Sequence, residues 1–194
     1  MDNVAQNSLE VLMRELTNAE AALLGLLAEG PRHPYQIEKD VQYRDMRSWT
    51  DLSISSIYKL LRQLEVESLV DLSRDLTDNN RMRKVYSITD LGQKALEKKI
   101  SALLTEGEHV KWQTDVGIYN FVNIPKAKRR ALLEAYIESL EAQIKCYRDL
   151  EEFMSGDECP PWHRAVSKRP QYIYQGEIEW TKAFIVELEE HNEI

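Results

Sequence analysis

Cysteine is scarce in this chain: Cys146 and Cys159 are the only two among 194 residues. Two thiols so placed make no disulfide framework, and a reducing, cytoplasmic setting is expected. Glycine and proline number seven and six, and they stand as isolated punctuation, which excludes a low-complexity linker. No apolar run approaches the ~20 residues that a membrane-spanning helix needs. The opening stretch MDNVAQNSLEVLMREL has no basic n-region of the kind that starts an export signal. Positive charge is in deficit too, with 25 Lys and Arg against 33 Asp and Glu. Such acidity argues against nonspecific adhesion to nucleic acid or anionic lipid but leaves room for a local basic site. There is no Gly-rich phosphate loop, His-Glu-x-x-His segment or nucleophile elbow, so neither enzyme chemistry nor a cofactor is expected. Cys159 and His163, with His109 elsewhere, are too few ligands for a closed zinc site, and no metal is expected.

What is present is a globular composition, 43% hydrophobic and 30% charged. Residues 1–106 hold fourteen cations against seventeen acids, and residues 107–194 hold eleven against sixteen. Within the first part the cations cluster: residues 79–84, NNRMRK, carry three and no acid.

Helical periodicity dominates. Ser8 suits the cap of a short helix through Leu16. Thr17 and Glu20 have capping-box spacing before Leu23, Leu24, Leu26 and Leu27, and Gly30-Pro31 ends that helix. Pro34 suits a first helical position, opening a helix through Ile37 and Val41 to about Met46. A third helix follows in SISSIYKLLRQLEVESLV, residues 53–70. Leu69–Leu72 and Val85–Thr89 alternate like two strands of a hairpin, with the polar residues 73–84 as a long turn. A fourth helix carries Leu91, Ala95, Leu96, Ile100 and Leu103, and Gly107 can stop it.

The third helix has a distinctive charge pattern. Ile54, Ile57, Leu61 and Leu64 form an apolar side, while Ser55, Lys59, Arg62 and Gln63 lie away from it. No acid occurs between Leu52 and Leu64. Three helices, a two-stranded hairpin and a further helix together make a winged helix-turn-helix, in which the third helix enters the DNA major groove. Carboxylates there would be repelled by phosphate, which explains their exclusion. Ser55, Ser56, Tyr58, Lys59, Arg62 and Gln63 are therefore expected to face DNA, with Arg81, Arg83 and Lys84 neutralising phosphates from the wing. Ser53 suits an N-cap better than a base contact. Tyr58 lies on the flank of the helix, where packing and phosphate contact are equal readings.

Residues 19–104 resemble the PadR family of bacterial transcriptional regulators. The resemblance is carried by ALLGLLAEGPRHPYQIEKDV (22–41), SISSIYKLLRQLEVESLV (53–70) and RKVYSITDLGQKAL (83–96), in that order and spacing. It implies a cytoplasmic homodimer on a palindromic double-stranded operator, usually a repressor, released in some members by phenolic or other aromatic compounds. Three positions depart from the family pattern. Lys59 stands where proline is common, Ser68 replaces the usual glycine before Leu-Val, and Pro34 replaces a frequent glycine. In a left-handed conformation Ser68 carries a strain of roughly 1 kcal/mol.

The remainder reads as helix. Residues 110–122 suit a short aromatic-rich helix. A long one from about Pro125 carries Leu133, Ile137, Leu140, Ile144, Tyr147, Leu150 and Met154 in near-heptad spacing. Residues 155–161 break it, and a last helix runs from about Pro170 to His191, with Ile173, Trp180, Phe184 and Leu188 on one side. The expected fold is mainly α with one β-hairpin: a winged helix-turn-helix over residues 1–106 and a helical dimerisation and effector domain over 107–194. The long seam packs either within one chain or across a dimer. The homodimer is expected through the C-terminal helices and the helix after the wing. Trp112, Tyr119 and Phe121 suit a pocket for a flat aromatic effector, with ordinary packing as the simpler reading. An interaction module without operator binding, or an activator on the same scaffold, is the alternative function.

Overall fold

The computed structural model describes residues 14–76, 82–154 and 159–194. They form two compact units, one ending at His109 and the other beginning at Val110. The helix expected over residues 8–16 lies outside the described residues except for Arg14–Leu16, which are not helical.

In the first unit, helix α1 (Asn18–Ala28) starts at the capping box read from the sequence. The Glu20 backbone N–H donates to Thr17 Oγ1 at 3.2 Å, and the Thr17 N–H donates to Glu20 Oε2 at 2.8 Å. Apolar residues on nearly all sides make α1 the central rod of the unit: Ala21, Leu23, Leu24, Leu26 and Leu27 are all buried. At Gly30 the backbone turns at φ 144, a conformation open to glycine. Arg32 then exchanges two backbone hydrogen bonds of 2.9 Å with Tyr86.

Helix α2 (Pro34–Tyr43) carries proline at its first position and is capped by His33, whose Nδ1 accepts the Gln36 N–H. It ends three residues short of the expected Met46. Asp45 turns left-handed at φ 48, and Met46–Ser48 form a 3-10 turn that buries Met46 instead. Helix α3 (Ile54–Val66) follows, and Ile57, Leu61 and Leu64 enter the core formed with α1 and α2. Each such side chain contributes about 1.5–3 kcal/mol by burial, so truncating Leu61 is the simplest way to loosen the helix.

Strands β1 (Val70–Leu76) and β2 (Met82–Ile88) pair antiparallel, with Val70 opposite Ile88 and Leu72 opposite Tyr86. Both run further than the alternation of apolar residues predicted. Beyond Leu72 and Tyr86 the core ends, so residues 73–75 and 82–84 are held by ladder hydrogen bonds with their side chains exposed. Apolar periodicity cannot report a strand that buries nothing. Helix α4 (Asp90–Thr105) is capped by the Thr89 hydroxyl, which accepts the Gly92 N–H at 3.0 Å. Its Ala95 and Leu96 are buried, whereas Ile100 and Leu103, expected on the same apolar side, are 45% and 51% exposed.

The second unit contains α5 (Gln113–Tyr119), a 3-10 turn (Phe121–Asn123), α6 (Lys126–Phe153) and α7 (Pro161–Glu190). The long seam packs within the chain: Leu140 and Ile144 of α6 form a core with Ile178 of α7, flanked by Tyr136, Ile137 and Tyr174. Helix α7 corrects two expectations. It begins at Pro161 rather than near Pro170, because Pro161 occupies the first position, where a missing N–H costs nothing, and Pro170 is carried in the interior. Its buried line is Ser167, Ile178, Thr181 and Ile185, while Trp180 is 42% exposed. The polar Ser167 and Thr181 escaped a search for apolar spacing because their hydroxyls bond to backbone carbonyls, Arg164 O at 2.9 Å and Glu177 O at 2.8 Å.

Candidate nucleic-acid interface

The interface is built on the side of α3 turned from the core. Ser53 caps the helix as read. Its Oγ accepts the Ser56 N–H at 3.1 Å, and its own N–H donates to Ser56 Oγ at 2.7 Å. Ser56, expected to face DNA, thus has its hydroxyl in the capping box, where it also donates to Ser53 O at 2.8 Å. Ser55 remains on the exposed side, 3.1 Å from Ser53 Oγ. Tyr58, Lys59 and Arg62 are exposed, and Gln63 is half-buried, with its amide 3.3 Å from Glu67 Oε1. Ile54 is the exception to the sequence pattern. It stands 59% exposed at the first turn, where no core element lies above it.

Five arginines of the unit are held by charge partners. Arg14, Arg32, Arg44, Arg47 and Arg83 all pair with carboxylates. Among the described residues neither Lys59 nor Arg62 does, so their charge is uncompensated at the surface. No acidic side chain lies in the first turn of α3. The positive end of the helix dipole therefore adds to the field of Lys59 and Arg62.

The wing continues this surface. Arg81 lies outside the described residues. Arg83 faces Asp75 across the ladder, 3.5 Å away and exposed, so the pair is weak and easily exchanged for phosphate. Lys84 is exposed and stands opposite Arg74. Arg74 lies in the stretch 73–84 that the sequence presents as a turn, and only the strand register sets its like charge against Lys84. The buried Tyr86 phenol joins hairpin to helix. Burial raises its pKa, with Glu65 pushing the same way and Arg62 opposing.

The three aromatic residues singled out in the second unit are not gathered together. Trp112 precedes α5 and is half-exposed, and Tyr119 is 88% exposed. Phe121 lies 6.1 Å from the Phe184 ring, with the Arg129 guanidinium 5.6 Å above it. Among the described residues no ring contact joins Trp112 or Tyr119 to Phe121. Phe184 in turn stacks on Trp180 at 5.2 Å. No group of three metal-ligating side chains occurs among the described residues, and no helix among them is long and apolar enough to cross a membrane.

Residues 23–98 match the model of the transcriptional regulator PadR-like family. No curated protein matches the sequence. Among solved structures, the chain is similar to Bacillus subtilis PadR in complex with operator DNA, at 18% identity and a TM-score of 0.66, covering 87% of this chain and 98% of that one. The same protein in complex with p-coumaric acid gives 18% identity and a TM-score of 0.68 over 88% and 98% of the two chains. The Vibrio cholerae virulence activator AphA gives 18% and 0.66 over 90% and 99%. At these identities the likeness is one of fold, and it extends through both units. Residues 23–98, which hold the winged helix-turn-helix of the first unit, are thus the part of the chain that matches the transcriptional regulator PadR-like family.

Proposed function

We propose that the chain is a cytoplasmic, sequence-specific double-stranded DNA-binding repressor acting as a homodimer. The observation that carries this reading is the pair of uncompensated cations, Lys59 and Arg62, on an exposed side of α3 where residues 54–63 include no acid, beside a hairpin that carries Arg74, Arg83 and Lys84. A structural helix face in a chain of net charge −8 has no need of that arrangement. Ser55, Tyr58, Lys59, Arg62 and Gln63 face the major groove, while Arg74, Arg81, Arg83 and Lys84 meet flanking phosphates. Residues 1–106 are the DNA-binding domain and 107–194 the dimerisation domain. Two copies place their α3 helices about 34 Å apart on a palindromic operator. Exposed apolar residues support the dimer, namely Ile100, Leu103 and Leu104 on α4 and Leu132, Phe153, Trp162 and Tyr172 on the last two helices.

Release by a small aromatic compound completes the proposal. It is supported by the Bacillus subtilis PadR structure with p-coumaric acid, and Trp112, Tyr119 and Phe121 are the residues assigned to it. The effector favours a dimer whose half-site spacing no longer fits the operator. Activation on the same scaffold is the second reading, favoured by the likeness to a virulence activator.

The deciding experiment measures binding to DNA from the region upstream of the protein's own gene, across a salt series. Neutralising about six phosphates gives a log–log slope of roughly −5. Saturable, salt-steep binding weakened by Lys59→Ala/Arg62→Ala and by Arg81→Ala/Arg83→Ala/Lys84→Ala supports the regulator. Flat binding indifferent to both sets points to an interaction module instead. A promoter fusion then separates repressor from activator, and a titration with phenolic acids read by Trp fluorescence tests the effector.

A further inference from the structure

We infer that Ile54 is a base-reading residue whose exposed aliphatic side chain recognises the 5-methyl group of a thymine in the major groove; this rests on the DNA-binding reading above. Ile54 occupies the first position of α3 and is 59% exposed, whereas Ile57, Leu61 and Leu64 of the same helix are at most 1% exposed. The packing duties of that helix start are already filled. A hydrophobic staple joins the residue before the N-cap to the fourth helical residue. Those positions are Leu52 and Ile57, both buried in the core of the first unit. The polar duties are filled as well, since Ser53 and Ser56 satisfy each other's backbone N–H groups. Ile54 serves neither purpose.

Its surroundings indicate a docking role. Ile54 begins a row at i, i+4 and i+8 with Tyr58 and Arg62, all exposed, so it is continuous with the proposed interface. Together with Arg47, Ser53 and Ser55 it lines a shallow concavity at the leading end of the helix. Arg47 is fixed there by donating to Leu52 O at 3.1 Å and pairing with Glu38. The N-terminal residues of a recognition helix are those that reach base edges. An isoleucine at that point has no donor or acceptor to offer. Of the groove-edge groups, only the thymine methyl is matched by such a side chain. β-Branching holds its χ1 in few rotamers, so the contact is made by a fixed surface rather than a mobile one.

The test uses the full chain and operator duplexes in which each thymine is replaced singly by deoxyuridine. This removes the methyl and keeps the base-pairing edge and the O4 acceptor. One thymine per half-site is expected to lose about fourfold in affinity on replacement, the factor supplied by burying one methyl-sized group. In Ile54→Ala that sensitivity disappears while the salt slope stays as in the unaltered protein, and in Ile54→Val it is largely kept. Salt-steep binding with no methyl-sensitive thymine overturns this inference and leaves the regulator standing. So does a methyl sensitivity that Ile54→Ala retains. Absence of salt-steep binding to any duplex overturns the regulator reading itself and this inference with it.

Discussion

Arg74 of β1 stands directly opposite Lys84 of β2, and among the described residues neither cation has a carboxylate partner. Like charges directly opposite across a strand pair destabilise by a few tenths of a kcal/mol. That cost is offset when phosphate lies against both. Lys84→Ala is therefore expected to leave the urea midpoint unchanged or slightly higher while weakening operator binding and lowering the salt slope by about one. A variant that loses stability and keeps its slope would show that the pair serves the hairpin rather than DNA.

Arg14 forms a second, structural arrangement of charge. Its guanidinium takes Glu20 at 2.5 and 2.8 Å and Glu67 at 2.8 and 2.9 Å, linking the start of α1 to the end of α3. Glu20 is 1% exposed. Burial alone would raise its pKa, but bonds from Arg14 and from the Thr17 N–H and hydroxyl outweigh it and hold the carboxyl below its ordinary value. A depressed carboxylate stabilises the fold above its unfolded pKa, and the contribution is lost as pH falls through the folded value. Denaturant midpoints are expected to fall on acidification below about pH 4.3, with a shallower fall in Glu20→Gln. Arg14→Ala leaves a buried carboxylate short of its partner and costs about 2 kcal/mol, moderated because Arg14 is itself partly solvated. Equal acid sensitivity in Glu20→Gln would assign the effect to other carboxylates.

How far the sequence disclosed this molecule follows from what each signal measures. The capping box at Thr17 and Glu20, the proline start at Pro34 and the apolar side of α3 are local, so they were legible and recur in the structure. The long seam was legible as a seam, and only the structure shows that Leu140 and Ile144 meet Ile178 of the same chain. The outer hairpin was not legible, because its side chains bury nothing and leave no periodicity. Arg74 was hidden with it. Ile54 was misread because spacing alone counts an apolar residue as buried, although at a helix start there is no neighbour to bury it. Helix α7 was cut short by giving Pro170 the weight of a helix start when Pro161 already held that place.

Gly92 makes a different kind of prediction. An added Cβ would fall 2.1 Å from the Leu69 carbonyl oxygen and 2.9 Å from the Ile88 side chain. The close approach is backbone against backbone, at the point where the Thr89 N–H donates to Leu69 O at 3.1 Å. No side-chain rotation relieves it. Gly92→Ala is expected to cost on the order of 2 kcal/mol or more, because the gain in helix propensity of about 1 kcal/mol is outweighed by overpacking. Thermal and urea unfolding of the variant measure the balance directly. A variant as stable as the parent would mean that α4 shifts freely against the start of the hairpin.

Ser68 tests whether a departure from the family pattern carries a price in stability. It ends α3 at φ 59, in the left-handed conformation where a Cβ carries strain. The surrounding bonds make a Schellman motif: the Ser68 N–H donates to Glu65 O at 3.0 Å, and the Leu69 N–H donates to Leu64 O at 2.8 Å. Leu64 and Leu69 are both buried, which supplies the apolar contact that accompanies such a helix end. The Ser68 carbonyl also accepts the Thr89 hydroxyl at 2.8 Å, while its own side chain is exposed. Every bond that shapes the turn is therefore made by the backbone, and glycine would keep them all. Ser68→Gly relieves the Cβ strain and is expected to raise stability by about 0.5–1 kcal/mol, less than the full left-handed penalty because glycine also loosens the unfolded chain. Ser68→Ala keeps the Cβ and should gain nothing. A fall in stability with glycine would show that the serine side chain contributes through a contact the folded structure does not contain. Operator affinity at fixed salt is expected to stay unchanged in both variants, since the substitution alters how firmly α3 ends and leaves its exposed side as it is.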